Sequence, residues 1–135
     1  MAGKRPERYL LGKGKSGLVG IYSKDVTEQD EHMRPQEHGN KRGVRWAIFM
    51  DDAGKGLRTE ALDEPISISA WPYSLVQLRD AGRICNLPEY KRTTINLDCI
   101  QNGLGDSFVP VPSEYVIKEG ECYQYKFRLS IVDGV

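Results

Sequence analysis

The chain has 135 residues and a mass of 15.3 kDa, which corresponds to one domain and is too short for a (β/α)₈ barrel. Lysine plus arginine equals aspartate plus glutamate at 19 each, so no net charge favours nucleic acid or an anionic membrane as a partner. The content of 39% hydrophobic and 28% charged residues is typical of a globular domain with one modest core.

The N-terminal part of the chain is polar. Residues 1–15 are rich in Lys, Arg and Gly and predict a flexible lead-in, while residues 16–135 predict a single domain. A short strand is predicted at residues 18–22. The polar segment that follows, residues 23–42, is long for a compact domain, which predicts a functional loop or a connection lying on another surface.

The remainder has mostly the two-residue periodicity of β-strands. Ser74, three residues before Gln77, predicts a capping box that opens one short helix ending near Gly82. Alternating strands bury their apolar face against a second layer, so this pattern predicts an all-β fold, namely half of an antiparallel β-sandwich with one short helix. The predicted strands are residues 44–50, 57–62, 66–71, 93–101 and 122–132, with a turn at 51–54 in which Gly54 and Gly56 are free to take positive φ.

The last predicted strand, residues 122–132, alternates aromatic and aliphatic residues with polar ones. Its apolar face is expected to be the inner face of the sheet. Because half a sandwich lacks part of the facing layer, we expect this face to be an exposed apolar patch with unpaired strand edges. The isolated chain should therefore self-associate.

Signatures of catalytic and metal sites are missing from the sequence: it has no GxSxG, HExxH or Walker motif. Asp51 and Asp52 are adjacent carboxylates in a predicted turn, where capping explains them. We therefore predict that this chain holds no catalytic residue, no metal ligand and no cofactor. The three cysteines are an odd number without CxxC spacing and are expected to be buried thiols without disulfides.

Polar side chains cluster between Pro35 and Gly39 and just beyond. Glu37 and His38 lie there with Gln36 and Asn40. Such groups hydrogen-bond sugar hydroxyls or orient neighbouring side chains, which makes Glu37 and His38 candidate substrate-binding residues. The alternative is an ordinary polar loop.

A second candidate is the loop at residues 102–108. Two glycines allow its backbone to turn sharply, which would place Phe108 at an exposed tip beside Asp106 and Ser107. An aromatic ring stacks on the C–H face of a sugar while carboxylate and hydroxyl groups meet its hydroxyls. These three residues are therefore candidate substrate-binding residues; a core role for Phe108 is the alternative.

Three blocks of sequence resemble the C-terminal domain of the large, multidomain β-galactosidases of glycoside hydrolase family two. They are residues 34–46 (RPQEHGNKRGVRW), 67–73 (SISAWPY) and 96–108 (NLDCIQNGLGDSF), in the family's order. The resemblance implies that the family's domain is a large sandwich of the galactose-mutarotase type, which is sometimes carried on a separate small subunit. This chain matches the C-terminal half of that domain.

The resemblance also implies a division of labour. In the family the nucleophile and acid/base glutamates belong to a barrel domain, and retaining hydrolysis needs both. The resemblance implies that the C-terminal domain forms a wall over the active site. An aromatic residue on one of its loops, which matches Phe108, then lies against the sugar or the aglycone. The isolated chain is then expected to be inactive, to partner the missing domains, and to leave the Mg and Na of the family to those domains.

Two positions depart from the family pattern. The family loop often has an extra Gly-Asp and a Trp where this chain has Phe108, and Asn usually stands where this chain has His38, which would introduce a pH dependence. The alternatives are a stand-alone carbohydrate-binding module and a mutarotase-type enzyme with His38 and Glu37 as acid and base. The sequence is compatible with either the cytoplasm or the periplasm as the compartment of the full enzyme implied by the resemblance.

Overall fold

The computed structural model describes residues 2–4 (backbone), 19–28, 35–87, 92–102, 108 and 110–134. The strands are β1 Ala2–Lys4, β2 Val19–Ile21, β3 Lys41–Val44, β4 Trp46–Met50, β5 Lys55–Ala61, β6 Ile66–Trp71, β7 Thr94–Asp98 and β8 Phe127–Asp133. The α-helix α1 is Leu75–Asp80, and 3-10 helices lie at Ile84–Asn86 and Ser113–Tyr115. Within these ranges no helix is long and apolar enough to cross a membrane.

The strands form two antiparallel sheets. One has five strands in the order β2-β1-β4-β5-β8, and the other has three in the order β3-β6-β7. Apolar residues of both sheets meet in one core, which confirms the predicted all-β sandwich with one short helix. Its fully buried members are Val44, Ala47, Ile66 and Ile68, with Phe49, Ala61 and Leu97 packed against them.

The chain changes sheets at Arg45. Val44 is paired with Ile66 in the three-stranded sheet, and Trp46 is paired with Glu60 in the five-stranded sheet. The prediction of one strand over residues 44–50 was therefore wrong at its start. Strands β3 and β4 both contribute residues to the core, so the pattern of apolar residues continues across Arg45 although the chain changes sheets there.

The turn between β4 and β5 is built by Asp51. Its Oδ1 accepts hydrogen bonds from the backbone N–H groups of Ala53 at 3.0 Å and Lys55 at 2.9 Å, and Gly54 has φ 75°. A capping role for Asp51 is thus confirmed. Gly56, for which the sequence allowed positive φ, does not adopt it. It lies in β5, where a Cβ would come within 1.8 Å of the Phe49 carbonyl oxygen. The close approach of the two strands therefore requires glycine at this position.

Helix α1 begins as predicted. The Ser74 hydroxyl accepts from the Gln77 backbone N–H at 3.2 Å, and the Gln77 side chain accepts from the Ser74 backbone N–H at 2.8 Å. These two bonds satisfy amide groups that a helix start otherwise leaves without partners. The helix buries Leu78 and ends at Asp80, close to the predicted position.

Strand β8 is shorter than predicted and begins at Phe127. Residues 122–125 keep the alternating pattern but lie outside the strand. The Tyr125 hydroxyl donates to the Leu97 carbonyl oxygen at 2.9 Å, and the Tyr123 hydroxyl donates to Glu121 at 2.9 Å. The apolar face of β8 is exposed, as expected for a half sandwich.

The cysteines, all three of which are described, form no disulfide. Their predicted burial was wrong, since Cys85 and Cys122 are exposed and Cys99 is half-buried. Cys85 lies in a surface 3-10 helix and Cys122 in the exposed segment before β8. At the other end of the chain, β1 lies within the predicted lead-in, and the domain boundary after residue 15 stays a prediction.

Candidate functional site

The outer face of the three-stranded sheet carries polar groups. Ser67 and Ser69 alternate with the core residues of β6 and therefore lie on the side opposite to the core. Asn96 of β7 is directly opposite Ser69, and its Nδ2 donates to the Ser69 hydroxyl at 3.0 Å. Both serines are buried, so other parts of the chain cover this face.

The segment of residues 35–41 is held at three consecutive residues. The Trp71 indole Nε1 donates to the His38 carbonyl oxygen at 2.6 Å, and the Lys41 ammonium donates to the Gly39 carbonyl oxygen at 2.8 Å. The Asn40 Nδ2 donates to Gln101 Oε1. Gly39 has φ 67°, a backbone conformation that favours glycine. The backbone of this polar segment is consequently fixed from several sides.

Lys41 is unusual because its side chain is buried, with 7% exposure. Burial lowers the pKa of its ammonium from 10.5 to about 8, and the charge of Lys24 lowers it further in the same direction. The Lys41 ammonium therefore holds the Gly39 carbonyl in a poorly solvated environment.

Gln101 links this segment to the end of β7. Its Oε1 accepts from Asn40, and its Nε2 donates to Asp98 Oδ2 at 2.9 Å. We refer to this chain of Asn40, Gln101 and Asp98 as the Gln101 relay. Both ends of the Gln101 amide are used, so its orientation is set by a donor on one side and a carboxylate on the other.

The loop that starts after the Gln101 relay is closed at its base. Asn102 Oδ1 accepts from the Ile117 backbone N–H at 2.7 Å. Just before Ile117, Tyr115 lies within electrostatic range of Arg42 in β3. Burial lowers the pKa of Arg42, whereas a hydrogen bond with Glu114 raises the pKa of Tyr115 and Arg42 opposes that rise. The segment after the loop is thus anchored beside the same sheet.

Phe108 lies in this loop and is 93% exposed. The exposure predicted from the sequence is confirmed, and the alternative of a core role in this chain is wrong. A largely exposed aromatic side chain is suited to stacking on a ligand. The assignment of Phe108 to substrate binding stays a prediction.

The other candidate residues differ in their settings. Glu37 is exposed, while His38 is half-buried with its ring centroid 6.3 Å from that of Trp71 at an interplanar angle of 44°. Asp106 and Ser107 lie outside the described residues. The Gln101 relay joins the segment carrying Glu37 and His38 to the base of the loop carrying Phe108.

The sequence interpretation missed Gln101 and Lys41. Gln101 follows Asp98 by three positions but is 61 positions from Asn40, a separation without a local signal. Lys41 lies within the polar segment of residues 23–42, where burial was not expected because lysine is almost never fully buried. Among the described residues, no group of three or more His, Cys, Asp or Glu side chains could hold a metal ion.

Comparison with known proteins places this architecture. A family model described as beta galactosidase small chain matches residues 12–129. The chain belongs to the beta-galactosidase small chain family. This small-chain domain is 33% identical over 131 residues to a beta-galactosidase of Halalkalibacterium halodurans and 37% identical over 137 residues to beta-galactosidase BgaC of Bifidobacterium adolescentis.

The comparisons also give the scale of the relatives. The matches cover 94% and 96% of the small-chain domain but only 13% of each of those two relatives. A beta-galactosidase of Lactobacillus delbrueckii subsp. bulgaricus is 40% identical over 85 residues, which covers 63% of this chain and 8% of the relative. The small-chain domain therefore corresponds to a small part of much longer enzymes.

Proposed function

We propose that this chain forms one wall of the substrate site of a β-galactosidase that hydrolyses terminal β-D-galactosides. The longer enzyme of which the chain is proposed to be a part is called the parent enzyme below. Phe108 is the residue that contacts the galactoside or its aglycone, with Asp106, Ser107, Glu37 and His38 as polar neighbours.

The single observation that carries this proposal is the exposure of Phe108 on a loop with a closed base. The Asn102–Ile117 hydrogen bond and the Gln101 relay hold the ends of that loop. An exposed aromatic ring is available to stack on the C–H face of a sugar. The bonds at residues 38–40 likewise fix the backbone of the segment that carries Glu37 and His38.

Chemistry is assigned to carboxylates elsewhere in the parent enzyme. Retaining glycosidases need two carboxyl groups about 5–5.5 Å apart. Near the proposed wall, the Asp98 carboxylate accepts a hydrogen bond from Gln101. We expect the isolated chain to release no nitrophenol from nitrophenyl galactosides.

The chain is also proposed to carry an assembly surface. It forms half of a larger sandwich of the galactose-mutarotase type, and the exposed apolar face of β8 contacts the missing half. The match covers only 13% of the length of each relative, which favours a part of a longer enzyme over a stand-alone carbohydrate-binding module.

Kinetics of the parent enzyme test the wall. Phe108→Ala should raise KM several-fold, because stacking of an aromatic ring is worth about 1 kcal/mol. Phe108→Trp, which keeps a stacking ring, should hold KM near the wild-type value. Val76→Ala removes an exposed apolar side chain from α1 and serves as the control without effect on KM.

Two results would contradict the wall. An unchanged KM in Phe108→Ala would remove Phe108 from the substrate site. A loss of several kcal/mol in urea unfolding of the parent enzyme, with unchanged kinetics, would assign Phe108 to packing between domains.

A further inference from the structure

Burial is lost at β8 along rows of residues that cross the five-stranded sheet. In one row Ala47 of β4 faces Thr59 of β5, which faces Leu129 of β8. Ala47 and Thr59 are buried, but Leu129 is 50% exposed. In the next row Phe49 faces Leu57, which faces Ile131, and Ile131 is 81% exposed. The side chains of β8 thus continue the core face beyond the edge of the core.

The hydrogen bonds of β8 also fix the direction in which its backbone N–H and C=O groups point. The Leu62 N–H donates to the Lys126 carbonyl oxygen at 3.0 Å, and the Gly134 N–H donates to the Gly54 carbonyl oxygen at 3.2 Å. In an antiparallel ladder, residues that bond to the neighbouring strand alternate with residues whose N–H and C=O point away from it. Even-numbered residues of β8 therefore bond to β5.

Odd-numbered residues of β8 consequently direct their backbone groups to the open side. Phe127, Leu129 and Ile131 are odd-numbered and are also the residues whose exposed side chains continue the core face. In the part of the chain that the structure describes, β8 has β5 as its one neighbour in the sheet. The backbone groups of these three residues are thus directed to the open edge, where the side chains of Leu129 and Ile131 are exposed and the Phe127 ring lies 5.5 Å from that of Tyr125.

We propose that a β-strand from the rest of the parent enzyme adds to this edge and extends the five-stranded sheet. Its backbone bonds to the N–H and C=O groups of Phe127, Leu129 and Ile131, and its inward side chains pack beside theirs. The proposal rests on the proposed function, since it takes the chain to be part of a longer enzyme. It specifies that the assembly surface is formed by strand addition and not by apolar contact alone.

The occupant is argued from size and continuity. The relatives that match nearly all of this chain are about eight times longer than the match, so most of each relative lies outside it. An exposed apolar face that continues a core is typical of a surface covered by another part of the protein. A covering helix or loop also protects a strand edge, but an added strand is the arrangement that pairs with every outward N–H and C=O group along it.

Site-resolved amide hydrogen exchange on the parent enzyme tests the strand. The even-numbered amides of Arg128 and Ser130, which bond to β5, provide the internal reference. If a strand is added, the amides of Phe127, Leu129 and Ile131 exchange within about tenfold of that reference. If they exchange more than about tenfold faster, the edge is open in the parent enzyme and the proposal is overturned.

Two variants of Leu129 separate backbone from side chain. Leu129→Pro removes an N–H that β5 does not use, which an edge strand tolerates. Exchange at Phe127 and Ile131 should then accelerate more than about tenfold, whereas in Leu129→Ala, which keeps the N–H, it should not. Equal exchange in the two variants would overturn strand addition, and the wild-type comparison stands if Leu129→Pro does not fold.

Photocrosslinking identifies the occupant. With p-benzoylphenylalanine in place of Ile131, an adduct to a segment of the parent enzyme outside this chain supports the assignment. An adduct to β8 of a second copy, or no adduct, overturns it.

The two proposals fail in different measurements. Fast exchange at the odd-numbered amides together with a raised KM in Phe108→Ala removes strand addition and leaves the wall in place. Slow exchange together with an unchanged KM does the reverse.

Discussion

Strands β6 and β8 have the same alternation of apolar and polar residues and opposite environments. All six residues of β6 are buried, including Ser67 and Ser69, whereas six of the seven residues of β8 are exposed, including Ile131 at 81%. β6 is the central strand of its sheet and β8 is an edge strand. Alternation therefore tells which residues share a face, and the number of neighbouring elements decides whether that face is buried.

The largest effect should come from truncating matched isoleucines in the two strands. Ile68→Ala in β6 should lower the free energy of unfolding of the chain by about 2–5 kcal/mol, because it empties a fully buried position. Ile131→Ala in β8 should change it by less than about 0.5 kcal/mol. Urea unfolding of the two variants, at a concentration at which light scattering shows the chain to be monomeric, measures both values.

Similar losses in the two isoleucine variants would contradict the comparison, because they would require Ile131 to be buried in the chain alone. In the parent enzyme the same Ile131→Ala change should become costly, since the added strand would bury it.

A pH titration extends the comparison to charge, because Lys41 is paired with the central strand at Ile68 and is buried there. Its pKa is about 8 in the folded chain and 10.5 when exposed. Between these values the unfolded state binds more protons, so the free energy of unfolding rises with pH. Below pH 8 both states are protonated and Lys41 contributes no pH dependence.

Relative to Lys41→Met, the wild-type chain should therefore gain up to about 3 kcal/mol between pH 8 and 10.5. Lys126→Met, which removes an exposed lysine next to β8, is the control and should show no such gain. A constant difference between wild type and Lys41→Met across this range would show that the Lys41 ammonium is well solvated.

A smaller effect is expected for the Gln101 relay, which reaches the three-stranded sheet from the polar segment. A double-mutant cycle of Asn40→Ala and Gln101→Ala should give a coupling of about 0.5–1.5 kcal/mol in urea unfolding. Asn40→Ala combined with Thr27→Ala is the control, because Thr27 bonds to Asp25 instead. A coupling no larger than that of the control would mean that the two amides act independently.

Local signals allowed much of the fold to be predicted. β6 has the predicted bounds, and the capping box of α1 is formed by Ser74 and Gln77 as expected. The failures have a common physical origin. At Arg45 the chain moves from one sheet to the other without a change in apolar pattern, and at Tyr123 and Tyr125 the alternation continues where hydroxyl hydrogen bonds replace the ladder.

The site was predictable only in part. The exposure of Phe108 was predicted because glycines and a strand end precede it, which are local features, while its role in substrate binding stays a prediction. The Gln101 relay was not found because its members are brought together by the pairing of β6 with β3 and β7. Burial of Lys41 depends on the same tertiary arrangement, and no neighbour in the sequence signals it.

The closed base of the Phe108 loop has a consequence for how such domains diverge. Asn102 and Ile117 are 15 positions apart and bonded to each other, so changes close to Phe108 need not disturb the sheets. By loop-closure entropy, inserting two residues there costs only about 0.1 kcal/mol. The length of this loop and the aromatic residue it carries are therefore expected to change at little cost in stability, and under the proposed function such changes would alter the galactoside preference of the parent enzyme.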